Sequence, residues 1–284
     1  MLDTIINTIV MRPYVFAFFG IFMLACVQHV GWRKTLVFTI SGYLIAFTSE
    51  KLSITTGFPY GWYYYIDDTI HKELWLWGVP FFDSLSYVFL TYCSYTTALF
   101  IVSPLATKGL DLITLETRAL RQSKAALVLG AFLQTFLDIT IDPVALQGNR
   151  WFLGQIYGYN EVGLHFGVPL SNYLGWLVVS FLMIGAFQKI DLQRDEKSPY
   201  GINAMPFRSL MGPLLYLSVL IFNWAITLWI GENLIALTGI LMFTLPIIMV
   251  VVLAGMRVNR YREEELQTHV KDYPWSPLAL SDKT

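Results

Sequence analysis

Seven stretches of the chain, residues 14–31, 35–53, 80–104, 124–141, 169–190, 211–230 and 234–256, run for eighteen residues or more with no more than two charged side chains each. A helix needs roughly 20 mostly apolar residues to cross the hydrocarbon of a bilayer. Lipid offers no water to satisfy backbone N–H and C=O groups, so such runs must close their hydrogen bonds internally as helices. The expected fold is therefore all-α, a polytopic membrane helix bundle of about seven transmembrane helices. Composition agrees, with 55% hydrophobic and 14% charged residues against about 45–50% and about 25% in soluble domains. A formal net charge of −1 gives no sign of a nucleic-acid partner. Cys26 and Cys93 both lie in apolar runs and read as small core hydrophobes, not as a disulfide or a metal knuckle.

The basic residues give an orientation. Arg33, Lys34, Lys108, Arg118, Arg121, Lys124, Lys189, Arg194, Lys197, Arg208, Arg257, Arg260, Arg262, Lys271 and Lys283 share one side, fifteen of the 19; Arg12, Lys51, Lys72 and Arg150 take the other. The positive-inside rule makes this an integral protein of the cytoplasmic membrane, N-terminus outside and C-terminus in the cytoplasm. The first span is expected to be retained, because Asp3 replaces a basic leader and no small-residue cleavage site follows. Residues 1–256 are read as a seven-span transmembrane catalytic domain and 257–284 as a cytoplasmic C-terminal tail. Of the cytoplasmic connections, 106–123 is expected to lie as an amphipathic surface segment through Leu110, Ile113, Leu115 and Leu120. The connection 191–208 has mixed charge and no catalytic signature.

Spans two to five contain an internal repeat. Each copy begins with a helix carrying a carboxylate near its outer end, Glu50 or Asp138. Each continues with Gly-x-x-Tyr-Gly and an aromatic residue, Gly57 to Trp62 and Gly154 to Tyr159. Each then reaches Gly-Val-Pro at the start of the next span, Gly78-Val79-Pro80 and Gly167-Val168-Pro169, 28 and 29 residues after the carboxylate. Both copies run in the same direction, so a pseudo-two-fold axis along the membrane normal and a shared site between the copies are expected. The core is placed at about residues 40–185. The two long connections between paired spans are rich in Trp and Tyr, and should lie at the membrane surface or fold back over the bundle.

Ionisable groups within spans are costly and mark function. Glu50, Asp83, Asp138 and Asp142 all fall near the outer ends, and the i, i+4 spacing puts the last two on one helix face. Asn172 and Asn223 share that depth, with Gln134 a turn below Asp138; the bland reading of each amide is a hydrogen bond between helices. Four carboxyls with no basic partner in these spans cannot all be charged cheaply, so at least one is expected to hold a proton at neutral pH. Such an acid can protonate an alkene, and aromatic faces nearby would favour the cation that forms. Other seven-span chemistries fit worse. The last span has no lysine for a retinal Schiff base, and of His29, His71, His165 and His269 only His29 lies in a helix, which removes bis-histidine haem and a histidine-rich di-iron centre. No phosphate-binding loop, dinucleotide fingerprint or zinc motif is present.

Glu50 with Gly57, Tyr60 and Gly61, then Gly78-Val79-Pro80, then Asp138-x-x-x-Asp142-Pro143, Trp151, Tyr157-Gly158 and Gly167-Val168-Pro169-x-x-Asn172-x-x-Gly175-Trp176 resembles the integral-membrane carotenoid 1,2-hydratases, the CruF-like carotenoid biosynthesis proteins. The resemblance implies addition of water across the terminal 1,2 double bond of an acyclic ψ end group, as in lycopene, γ-carotene or a C50 precursor, with no cofactor and no metal. It implies a lipid-soluble polyene and the bilayer as partners, together with other carotenoid-pathway membrane enzymes. Asp138 or Asp142 is then expected as general acid, the other keeping its proton in place. Glu50 with Asn172 is expected to position the water and accept its proton, Asp83 being an alternative for that duty. Trp62, Tyr63, Trp151 and Tyr157 should flank the cation, and Tyr60, Trp176 and Asn223 should complete the substrate slot. A lycopene or terpene cyclase would begin with the same protonation, and a small transporter could also use repeated spans flanking carboxylates.

Overall fold

The structure, a computed structural model, describes residues 2–192 and 205–279. Arg194, Lys197 and Lys283 and most of the 191–208 connection lie outside the described residues. Seven long helices are present among the described residues: α2 (Pro13–Val30), α3 (Trp32–Thr56), α4 (Phe81–Val102), α6 (Lys124–Ala145), α7 (Leu170–Asp191), α8 (Arg208–Trp229) and α9 (Asn233–Arg257). Shorter ones are α1 (Leu2–Met11), α5 (Arg118–Arg121) and α10 (Glu263–Asp272). Six of the seven long helices are long and apolar enough to cross a membrane. The exception is α3, whose average is lowered by its charged and hydroxyl side chains, several of which it turns inward. Thr35, Ser49, Glu50 and Ser53 are buried, while Leu36, Val37, Ile40, Leu44 and Leu52 form its exposed side. The molecule is thus an all-α polytopic membrane bundle.

The four helices of the repeat form a closed ring, α3 on α4, α4 on α6, α6 on α7 and α7 back on α3. Helix α4 is the hub, buried along nearly its whole length because α2 and α8 pack on its outer side. Small residues bring the helices close, as expected where lipid supplies no hydrophobic drive for association. A Cβ at Gly212 of α8 would fall 1.9 Å from Thr96 Oγ1 of α4. Helix α9 packs on the rim and leaves Leu234, Leu237, Leu241, Leu245 and Ile248 exposed.

Both long connections fold back over the bundle and are partly extended. Strand β1 (Tyr63–Tyr65) of the first pairs antiparallel with β6 (Tyr157–Tyr159) of the second, Tyr63 opposite Tyr159 and Tyr65 opposite Tyr157. The Gly-Val-Pro segments are hairpin elbows. Strands β2 (Trp75–Leu76) and β3 (Val79–Pro80) flank Trp77-Gly78, at φ 45° and 85°; in the second copy His165 pairs with Val168 around Phe166-Gly167, at φ 51° and 89°. Two successive left-handed residues fit the tight turns that join antiparallel strands. The repeat is therefore present in the backbone as well as in the sequence.

Two segments depart from expectation. Residues 106–123 do not lie as one amphipathic surface segment: β4 (Leu105–Lys108) and β5 (Asp111–Thr114) make a hairpin turning at Gly109, which buries Ile113 and Leu115 and leaves Leu110 exposed at its tip. The tail is docked, not free. The backbone carbonyl of Glu116 lies 2.6 Å from His269 Nδ1, and the Arg118 amide donates to Asp272 at 2.8 Å.

Candidate functional site

Glu50 sits two turns before the end of α3, which Gly57 closes in the left-handed conformation. Asp83 occupies the first turn of α4 behind the Pro80 cap, and Asn172 the matching place in α7 behind Pro169. Asp138 and Asp142 face inward from the last two turns of α6. All five line one cavity of about 130 Å³ beneath the paired β1 and β6 strands.

The carboxyls stand as two pairs with different partners. Asn172 Nδ2 donates to Asp138 Oδ2 at 2.8 Å and to Asp142 Oδ2 at 2.7 Å, using one amide hydrogen for each. Asp142 also accepts from the Tyr157 hydroxyl on Oδ1 (2.7 Å) and from the Tyr159 hydroxyl on Oδ2. Among the described residues Asp138 has no further donor, and its buried Oδ1 accepts no hydrogen bond. On the other side, the Tyr65 hydroxyl lies 2.9 Å from Glu50 Oε1 and 2.8 Å from Asp83 Oδ2, serving one at a time, while Ser84 donates to Glu50 Oε2. Burial, followed by the charge of the adjacent carboxyls, pushes the Tyr65, Tyr157 and Tyr159 phenols well above their ordinary range. They stay neutral donors.

Alternation along β1 and β6 explains why tyrosines reach the site. Side chains of a strand point alternately to its two faces, so Tyr63, Tyr65, Tyr157 and Tyr159 turn inward together while Tyr64 turns out. Tyr64 lies across Gly158, where a Cβ would meet its hydroxyl at 2.8 Å. Below the tyrosines the wall is aromatic: Tyr87 and Trp176 stack at 4.2 Å with planes 3° apart, Tyr60 packs beside Trp176, and Trp151, Phe89 and Phe222 face them. No lysine, arginine or histidine lines this cavity among the described residues.

Of the expected site residues, Asp138, Asp142, Glu50, Asp83, Asn172, Tyr60, Tyr63, Trp151, Tyr157, Trp176 and Asn223 all line the cavity. Two placements differ from expectation. Trp62 is 53% exposed and packs over Gly57, outside the cavity, because the strand alternation turns it away. Asn172 does not stand with Glu50: both of its amide hydrogens go to the aspartates, and Asp83 is the residue that pairs with Glu50. Asn223 lines the wall, yet its amide group donates to the Val219 carbonyl of its own helix at 2.9 Å. The residues not foreseen are Tyr65, Tyr159, Ser84 and Tyr87. The Tyr-x-Tyr spacing at 63–65 and 157–159 is the signal that would have found the first two. Among the described residues no group of three or more His, Cys, Asp or Glu is disposed to hold a metal ion.

The fold and the site together define a membrane-embedded helix bundle whose paired carboxyls face an aromatic cavity. Residues 4–246 match the family model described as carotenoid biosynthesis protein, and the chain belongs to that family. No curated protein and no solved structure matches the chain. Its role lies in carotenoid biosynthesis, as an enzyme-like membrane component of that pathway.

Proposed function

We propose that the protein is a carotenoid 1,2-hydratase. It would add water to the terminal double bond of an acyclic ψ end group by carboxylic-acid protonation and water capture. The observation that carries this reading is the convergence of two separately partnered carboxyl pairs on one aromatic cavity that no cation lines among the described residues. One pair can supply a proton while the other handles water, the division that a cofactor-free hydration needs.

The partners divide the labour within each pair. Asp142, with three donors, is held as the carboxylate. Asp138, with one donor and a bare Oδ1, is the proton donor to C2 of the alkene, an example of general-acid catalysis with a positioned group. The tertiary cation left at C1 lies among ring faces, of which the stacked Tyr87 and Trp176 are the most ordered, and their quadrupoles favour it over the neutral alkene. A water held by Glu50 and Asp83 adds to C1 and passes its proton to that pair. The two pairs exchange a proton per turnover, so the reaction as a whole consumes only water. By the distribution of basic residues the carboxyl end of the bundle faces away from the cytoplasm.

Incubation of the purified protein with lycopene in ¹⁸O-labelled water under anaerobic conditions tests the reading. The expected product is a 1-hydroxy carotenoid carrying one ¹⁸O per modified end. A product of unchanged mass would identify a cyclase, and a requirement for oxygen would remove hydration altogether.

A further inference from the structure

A groove on the outer side of the bundle takes no part in the reaction described above. It runs between α3 and α7 with a volume of about 370 Å³. Its walls are apolar, with Leu44 and Leu52 from α3, Val179 and Leu182 from α7, and Phe58 closing the end nearest the loops. Between Leu44 and Leu52 it follows α3 for about 12 Å, at roughly 1.5 Å of rise per residue. Leu44, Leu52, Phe58 and Leu182 are exposed, so the groove opens to the lipid.

The groove and the carboxyl cavity are separated by the hydrogen-bonded side chains of Ser49 and Tyr60. Ser49 lies in the groove, and its hydroxyl is 2.9 Å from the Tyr60 hydroxyl; the Tyr60 ring lines the cavity beside Trp176. At this level α7 comes up against the first connection. A Cβ at Gly175 would fall 2.6 Å from the Tyr60 ring and 2.7 Å from the Pro59 carbonyl. Size gives the second half of the argument. A cavity of about 130 Å³ holds a reacting end group but not the long chain attached to it, whereas the adjoining groove is elongated and open along its side to the lipid.

We propose that the groove between α3 and α7 seats the hydrocarbon chain of a linear polyene, and that the Tyr60 ring, tethered by Ser49, is the partition past which the end group reaches the carboxyls. The identity of the chain as a polyene rests on the hydratase reading; the preference of the groove for a linear hydrocarbon rests on its own walls.

The test is retention of lycopene by the purified full-length protein, read from visible absorbance after detergent exchange, with co-purified lipids identified by mass spectrometry. Leu44→Trp and Leu182→Trp fill the groove from opposite walls, at positions exposed enough for the fold to tolerate the larger ring. Leu241→Trp, on the exposed face of α9, is the matched control. Retention is expected to fall at least tenfold in both groove variants and to stay within twofold of wild type in the control. Undiminished retention in the groove variants overturns the proposal, and so does a wild-type protein that carries acyl lipid but no lycopene. If the wild type retains lycopene, both groove variants lose it, and no water is ever added, the groove assignment stands and the hydratase reading falls.

Discussion

At the scale of single residues, the division between Asp138 and Asp142 follows from hydrogen-bond count. Two carboxyls one turn apart on α6 share the Asn172 amide, but only Asp142 receives tyrosine hydroxyls. Asp138→Asn should therefore lower kcat by about 10² to 10⁴, the usual worth of a general acid, while leaving KM near wild type, because the lost interaction is made only in the transition state. Tyr159→Phe, which removes one of three donors to the supporting carboxylate, should cost about ten- to a hundredfold, no more than the low end expected for Asp138→Asn, since a hydrogen bond to a charged group contributes roughly 1.5–3 kcal/mol. Steady-state kinetics on both variants check this, and full turnover in Asp138→Asn would refute the assignment. The carboxyls were legible in the sequence because each interrupts an apolar run where charge is expensive. Tyr65 and Tyr159 were not, since tyrosine is common at membrane interfaces and only cross-strand pairing turns these rings inward.

At the scale of elements, the repeat was legible where it fixes the backbone and misleading where it aligns side chains. The two Gly-Val-Pro elbows adopt the same left-handed pair of residues and place Asp83 and Asn172 at one depth, as the spacing implied. The Gly-x-x-Tyr-Gly motifs equate Tyr60 with Tyr157, yet Tyr60 bonds Ser49 while Tyr157 bonds Asp142, and the residue opposite Tyr157 is Tyr65. A strand pairing between the copies obeys its own register, which no motif alignment contains. A second element-level feature, invisible to hydropathy, is the clasp at the junction of α1 and α2. Arg12 forms a fully buried pair with Glu73 at 2.8 Å, donates to the Leu153 carbonyl and lies 4.4 Å over the Phe82 ring, so that one side chain joins both long connections to the first span. Sequence placed Arg12 among the orientation charges because its partner is 61 residues away. Removing one member of such a pair strands the other without a counter-charge, at about 3–5 kcal/mol. Glu73→Ala should show that loss as a lowered melting temperature in detergent, and the double variant Arg12→Met with Glu73→Leu should recover much of it. A melting temperature unchanged by Glu73→Ala would mean that the clasp does not hold the connections.

At the scale of the whole molecule, the bundle is closed at both ends by unlike means. The carboxyl end is covered by paired strands; the opposite end is tied by a buried ion network in which Glu116 meets Arg121 at 2.7 Å and His29 at 2.9 Å, Asp191 meets Arg121 at 3.3 Å, and the docked tail adds His269 and Tyr273. Hydropathy reads spans and cannot reveal this network, whose members come from α2, the segment before α5, α5 itself, α7 and the tail. Its pH response follows from two groups outside the spans. Burial opposes the charge on Glu116, but Arg121 and then His29 outweigh it and hold the carboxyl below the usual carboxylate range. A depressed carboxylate contributes stability above its unfolded value of about 4.3, and that contribution is lost as pH falls through the folded value. Burial also lowers His269, so below an unfolded value of about 6.5 the unfolded chain takes up a proton that the folded tail resists. Both signs make the molecule less stable in acid. The melting temperature should therefore fall in two stages, a first below about pH 6.5 and a second below about pH 4.3. His269→Gln should shrink the first stage without abolishing it, because His165 in the second connection is lowered by burial too. Glu116→Gln should lower the melting temperature at neutral pH and flatten the second stage. Melting curves of the wild type and the two variants from pH 8 to pH 3.5 decide the matter, and profiles that run parallel across the three proteins would show that these groups do not govern closure of this end.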